Sequence, residues 1–235
     1  MRWPSVDELT AKAPPPNGYR YEYLRLGEVP ALIAALQTWY PGIAVGSASC
    51  HLRAAFYEDM VCTNERFERD WLVVVFKKDT ELTGMLSVER DTDSEVLYGR
   101  LGAISPRHRG SRLSRSIPLL AEALGRTMGA GMVYGLATMA HPYMQATFER
   151  VGWRLSGIMS GFDKEIIAPG QVRRVYEAIY VKVLALEEVW RPRTQDMTPA
   201  VRALFDLLHP GQRYERVSAQ TSVRRAENCA VDMCW

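Results

Sequence analysis

Regular patterning of apolar and polar positions begins at Tyr19. Aromatic and polar residues alternate from Tyr19 to Leu26, the two-residue period of a half-buried strand. Glu28 to Trp39 then carries Val29, Leu32, Ile33 and Leu36 at helical spacing, and Pro41-Gly42 ends that helix. A second helix is expected from Ser47 to Met60. Trp71-Leu72-Val73-Val74-Val75-Phe76 is a continuous apolar run, as in a strand buried on both faces of a sheet. A polar turn at Lys77 to Thr80 joins it to a strand over Leu82 to Val88, so the two form a hairpin. After a turn at Asp91 to Ser94, Glu95 to Ile104 supplies another strand, with Gly99 and Gly102 inside it. Ahead of these elements, Pro14-Pro15-Pro16-Asn17-Gly18 predicts an extended arm over residues 1–18, since proline neither donates to a ladder nor continues a helix.

Leu113, Ile117, Leu120, Leu124 and Met128 step by four, three, four and four, one apolar stripe of a long helix that Gly129-Ala130-Gly131 stops. Met132 to Thr138 is the next strand. His141-Pro142 opens a short helix to Arg150, and Val151-Gly152-Trp153 leads into a strand ending near Phe162. Strands alternating with helices predict an α/β layer arrangement. Beyond Pro169, the spacing of Val172, Val175, Ile179, Leu184 and Leu186 predicts a helix, and Thr198-Pro199 begins a second that runs to Leu208. The chain is therefore read as an arm over 1–18, a domain over 19–168, a helical extension over 169–212 and a flexible tail over 213–235.

Composition changes this picture little. Of 235 residues, 47% are hydrophobic and 24% charged, which is ordinary for a folded globular protein. A formal charge of +2 gives no strong field to attract nucleic acid or an anionic membrane. The chain lacks a membrane-spanning apolar stretch, and its first residues lack the order of a secretory signal, so a cytoplasmic location is expected. Cys50, Cys62, Cys229 and Cys234 are too sparse for a disulfide scaffold and lack zinc-ligand spacing, so free thiols and no metal are expected.

The chemistry-bearing segment is the strand ending at Ile104-Ser105-Pro106, the basic loop Arg107-His108-Arg109-Gly110 and the helix that follows. A helix start presents free amide N–H groups and the positive end of the dipole, a seat for phosphate. Gly110 lets a ligand approach the backbone, and Arg107, Arg109 and Arg112 add charge beside it. Cations at a helix start are otherwise disfavoured by roughly 0.3–1 kcal/mol each, so their clustering points to an anion. Gly129-Ala130-Gly131 precedes a strand instead of following one, which is the wrong order for dinucleotide binding.

The run Ile104 to Ser114 resembles the signature of the GNAT N-acetyltransferase superfamily, a strand ending V-x-P followed by R/Q-x-x-G-x-G/A at a helix start. His141-Pro142 with Phe148-Glu149-Arg150-Val151-Gly152-Trp153 resembles the second signature of that family. The resemblance covers roughly Tyr19 to Phe162. Departures are Arg112 where glycine is usual, Ser114 where glycine or alanine is usual, His141 where asparagine is common, and Phe148 where many members carry a proton-donating tyrosine.

The resemblance implies a GNAT-like α+β fold with a mixed, strongly twisted sheet flanked by helices. It also implies transfer of an acyl group, acetyl first, from acetyl-CoA or another acyl-CoA to a primary amine of a small molecule by direct attack. Cofactor contacts are expected from Ile104, Ser105, Arg109, Gly110, Ser111, Arg112, Leu113 and Ser114. An ammonium of pKa ~10.4 must lose a proton before it attacks, for which Glu89 and Glu95 are candidate bases. Tyr143 and His141 are candidate donors to the departing sulfur. Neither nucleic acid nor membrane is expected as a partner, and a homodimer is compatible with the reading. Two alternatives stay open: an N-acyl amino acid or acyl-homoserine-lactone type synthase using longer chains, and a CoA-binding regulator without turnover.

Overall fold

Strand β3 (Trp71–Lys78) has its first six residues buried, as the unbroken apolar run predicts, and the sheet grows outward from it. The computed structural model describes residues 1–63, 67–185 and 193–210. The chain divides into two units, Met1–Leu186 and Glu187–Trp235. In the first, β3 is joined by β1 (Arg20–Tyr23), β2 (Val61–Cys62), β4 (Glu81–Asp91), β5 (Val96–Ile104), β6 (Met132–Thr138), β7 (Arg154–Ala168) and β8 (Gln171–Val183). The order is β1-β3-β4-β5-β6-β8-β7, with β2 paired to the start of β3. Neighbours run antiparallel except at β5–β6 and β2–β3, so the sheet is mixed.

Side chains alternate across the strands and divide the interior into two cores. Leu72, Val74 and Phe76 share one core with α1 (Val6–Lys12), α4 (Leu113–Met128) and α5 (Tyr143–Arg150). Val73, Val75 and Met85 share the other with α2 (Val29–Trp39) and α3 (Ala54–Asp59). Flanking helices on both faces of a mixed sheet are the expected arrangement.

Three expectations about elements need correction. The arm over 1–18 contains helix α1: Ser5 accepts from the Glu8 amide while the Glu8 carboxylate accepts from the Ser5 amide, and Leu9 and Trp3 are buried. The proline run follows α1 and does not govern it. Ser47 to Met60 is no single helix; a 3-10 segment, Ser47–Leu52, is separated from α3 by extended Arg53. The segment beyond Pro169 is a strand. Gly170, at φ 72°, turns β7 into β8, and Val175 and Glu177 alternate with Tyr176 and Ala178 across the sheet. In the second unit, α6 (Pro199–Leu208) forms where predicted, with Thr198 capping the Val201 amide.

Cys50 and Cys62 are free thiols. Cys229, Cys234 and the tail expected at 213–235 lie outside the described residues. Among the described residues no helix is long and apolar enough to cross a membrane.

Candidate functional site

Strands β5 and β6 are paired only from Val96–Met132 to Gly99–Gly135 and then part. At that point β5 carries one extra residue, Arg100, between partners that are adjacent on β4, a bulge that turns the strand. Beyond it β5 stays on β4 and β6 on β8, leaving a gap between them. Ser105 continues the β4 ladder through its amide, 2.8 Å from the Thr83 carbonyl, so the amide and carbonyl of Ile104 face the gap. There the Tyr40 hydroxyl lies 3.3 Å from each of them.

The loop after Ile104 folds on itself. His108 N–H donates to the Ser105 carbonyl at 2.9 Å and the Ser111 hydroxyl to the His108 carbonyl at 2.6 Å. Tyr19 Oη holds His108 Nδ1 at 3.0 Å, and Glu81 lies 3.4 Å from Arg107 and 3.3 Å from His108. Gly110 then takes φ 85°, and the position where a β-carbon would stand meets nothing within 4 Å. Arg112 caps α4 at φ 68°, and Leu113 behind it is buried. The amides of Gly110, Arg112, Leu113 and Ser114 meet no acceptor among the described residues. Such a turn at a helix start is a concavity of donors suited to a diphosphate. Arg109 lies over the Tyr40 ring at 5.4 Å, and exposed Arg112 has no ion-pair partner among the described residues.

The structure sorts the other predicted residues. His141 and Tyr143 follow β6 at the end where β5 delivers the loop; their rings are 5.0 Å apart and Tyr143 is 76% exposed. Glu95 lies away from the loop. It occupies the β4–β5 turn at φ 51°, the opposite end of β5 from Ile104, and nine strand residues at ~3.3 Å each separate it from the loop. Glu89 pairs with Tyr98 on the paired side of the bulge, 3.6 Å from Arg100, in a groove of about 450 Å³ with Asp59, Trp71 and Asp91. Burial pushes its carboxyl above the usual range. Phe148 is a core residue, stacked on Tyr180 at 5.1 Å and 4.7 Å from Trp153.

Sequence reasoning missed the face that carries Glu89. Tyr98 and Tyr134 stack there at 4.4 Å across β5–β6, and Arg100 lies 4.6 Å from the Tyr98 ring and 4.8 Å from Trp71. Past the parting point the same face carries Glu177 on β8, opposite Thr138 on β6 and Met159 on β7. Burial, then the neighbouring Glu165 and Asp163 carboxylates, raise the Glu177 pKa to about 7. Asp163 accepts from the Ser47 amide at 2.7 Å and its hydroxyl at 2.8 Å, tying the segment after α2 over this face. A two-residue period through Val175, Glu177 and Ile179, with one acid inside an apolar stripe, was the available signal.

No family model matches the chain, and no curated protein matches it. Solved structures do. The spermidine/spermine N-acetyltransferase SpeG from Vibrio cholerae superposes with a TM-score of 0.56 at 13% identity, covering 71% of this chain and 94% of that one. The yncA protein from Salmonella typhimurium, solved with acetyl-CoA, gives 0.54 at 15% identity over 74% of this chain and 98% of its own. A GNAT-family protein from Desulfovibrio desulfuricans gives 0.52 at 12% identity, covering 71% and 99% respectively. The chain has the fold of the GNAT acetyltransferases.

Proposed function

We propose that the chain, on this fold, is an acyl-CoA-dependent N-acyltransferase that moves an acetyl group from acetyl-CoA to a primary amine of a small molecule. One observation carries the reading: four open amides at residues 110 and 112–114, beside Arg109 and Arg112, at the end of a strand whose free edge faces a gap in the sheet. The diphosphate of the co-substrate fits that turn, since Gly110 leaves the approach clear. Ser105, Ser111 and Leu113 shape the turn, and Ile104 offers its amide and carbonyl to an extended arm lying along the gap. Tyr40 would yield those groups to the arm.

The amine attacks the thioester carbonyl directly on this reading. A backbone amide of β5 beyond the Arg100 bulge meets the charge that develops on the carbonyl oxygen, and His141 or Tyr143 supplies the proton taken by sulfur. A cytoplasmic location and a small-molecule acceptor belong to the same proposal. Calorimetry with acetyl-CoA tests it: micromolar binding is expected, lost when Gly110 is replaced by Val, whereas no affinity for any CoA thioester overturns the reading.

Phe148 favours a second reading, a CoA-binding regulator, because its position has no phenol to protonate sulfur. Release of free thiol from acetyl-CoA across a panel of amines separates the two, since a regulator binds without amine-dependent release.

A further inference from the structure

We propose that Glu177 is the base that takes the proton from a cationic amine acceptor seated on the sheet face lined by Tyr98, Tyr134 and Asp163. The inference rests on the acyltransferase reading and deepens it.

Position comes first. Glu177 faces the side of the sheet opposite α4, because its strand neighbours Ala178 and Tyr180 belong to the core beneath α4 and α5. Its partner on β6 is Thr138, three residues past Gly135, where β5 and β6 separate. It therefore flanks the gap, one strand from its edge, toward the end that holds the Gly110 turn. Glu95 is at the far end of β5, and Glu89 lies before the separation.

Availability comes second. Among the neighbouring carboxylates, Glu89 has Arg100 and Asp163 has Ser47. Glu177 is only 7% exposed and makes no hydrogen bond or ion pair among the described residues. An ionised carboxylate buried without a partner is costly, and such groups recur where a ligand completes them. The groups near it are Asp163 and Glu165 on β7, Tyr98 on β5 and Thr138 on β6; of the cations on this face, Arg100 is engaged with Glu89 and two rings, and Arg173 on β8 stands opposite Glu165. Burial, and then the negative neighbours, hold a proton on Glu177 near neutrality, and an arriving ammonium reverses that balance by favouring the carboxylate.

The step balances. One ammonium proton passes to the Glu177 carboxylate, and the freed nitrogen lone pair forms the N–C bond to the thioester carbonyl. The C–S bond breaks, sulfur keeps its electron pair and receives a proton, and the nitrogen sheds its second proton as the amide forms. The net product is an amide, a free thiol and one proton, which Glu177 returns to solvent.

The test compares wild type, Glu177→Gln and Glu177→Asp in kcat/KM against pH, with spermidine, 1,3-diaminopropane and the weakly basic trifluoroethylamine as acceptors. Thermal melts and acetyl-CoA calorimetry run in parallel. Glu177→Gln is expected to bind acetyl-CoA as wild type does and to lose about 10²–10³-fold in kcat/KM for the strongly basic amines. The rise of rate through neutral pH should vanish with it, the loss should shrink for trifluoroethylamine, and Glu177→Asp should recover part of the rate. A Gln variant within threefold of wild type with an unchanged pH profile overturns the proposal. So does a loss equal for all amines and all pH values, or a wild type that binds acetyl-CoA yet acetylates none of these acceptors. Should the Gln variant fail to fold, the pH profiles of wild type and Glu177→Asp decide: a wild-type profile flat through neutrality rejects the base, and a shifted limb in the Asp variant supports it. Absence of acetyl-CoA binding by wild type instead removes the acyltransferase reading itself.

Discussion

Arg112 holds a left-handed backbone that costs a residue with a β-carbon about 1–2 kcal/mol, at a helix start where a cation is disfavoured. Two local penalties on one residue, with no partner to offset them, are the pattern of a side chain kept for a ligand. Arg112→Gly should therefore stabilise the fold by roughly 0.5–1 kcal/mol in urea unfolding, since relief of the backbone outweighs the added chain entropy. It should weaken acetyl-CoA binding in calorimetry by about 10–100-fold, the worth of a charge-assisted hydrogen bond. A variant that is stabilised and binds acetyl-CoA with unchanged affinity would leave Arg112 without a ligand role. Phe148 makes the converse case. Its para carbon lies against Gly135, where even an added β-carbon would come within 3.0 Å. Phe148→Tyr should thus cost about 1–3 kcal/mol from overfilling and raise no turnover; a gain in kcat would show that the phenol finds room. The Gly110 loop was legible in the sequence because glycine, arginine and a helix start advertise themselves locally. Glu177 was not, because its meaning depends on two other strands.

At the scale of elements, local patterns were read correctly wherever only one period fitted. The apolar run of β3, the stripe of α4 and the capped start of α6 each admit a single reading, and each forms as expected. The segment after Pro169 admits two. Val172, Val175 and Ile179 suit a helix by spacing, but the same stretch alternates, and β6 together with β7 supplies hydrogen-bond partners on both of its edges. Sheet membership decided the outcome, and it is a tertiary fact. Glu95 stands at the start of β5, as the sequence reading had it, which is the end of the strand away from the loop after Ile104. Helix α1 was hidden by its proline-rich flank, although Ser5 and Glu8 spell its capping box. Ser5→Ala should cost about 1 kcal/mol and speed amide exchange through α1. Trp3 and Leu9 fill part of the core under α4, so removing residues 1–13 should lower the melting temperature far more than the cap substitution does. Equal effects would mean that α1 does not complete that core.

For the molecule as a whole, pH acts on two buried groups with opposite sign. His51 is buried between Phe56 and Trp71, its Nε2 has no partner, and burial lowers its pKa from 6.5 to about 4. A folded pKa below the unfolded one means that the unfolded chain takes up the proton first. His51 therefore stabilises fully above pH 6.5, and roughly 3 kcal/mol drains away as pH falls toward 4. Glu177, raised from 4.5 to about 7, works in reverse, because its unfolded form ionises first; its contribution is present below pH 4.5 and is lost as pH rises to 7. Glu89 and Glu165 are pushed in the same direction as Glu177. Between pH 4.5 and 6.5 the two slopes oppose, so wild-type stability should change little across that window. Single variants should unmask each slope: His51→Leu should grow less stable as pH rises, and Glu177→Gln more stable. Urea midpoints across the window check this, and parallel slopes in the two variants would show that these groups do not set the balance. The same titration links stability to the proposed chemistry, since an amine acceptor that favours the Glu177 carboxylate should lift the midpoint most near pH 7, where the folded protein otherwise bears the cost of ionising it.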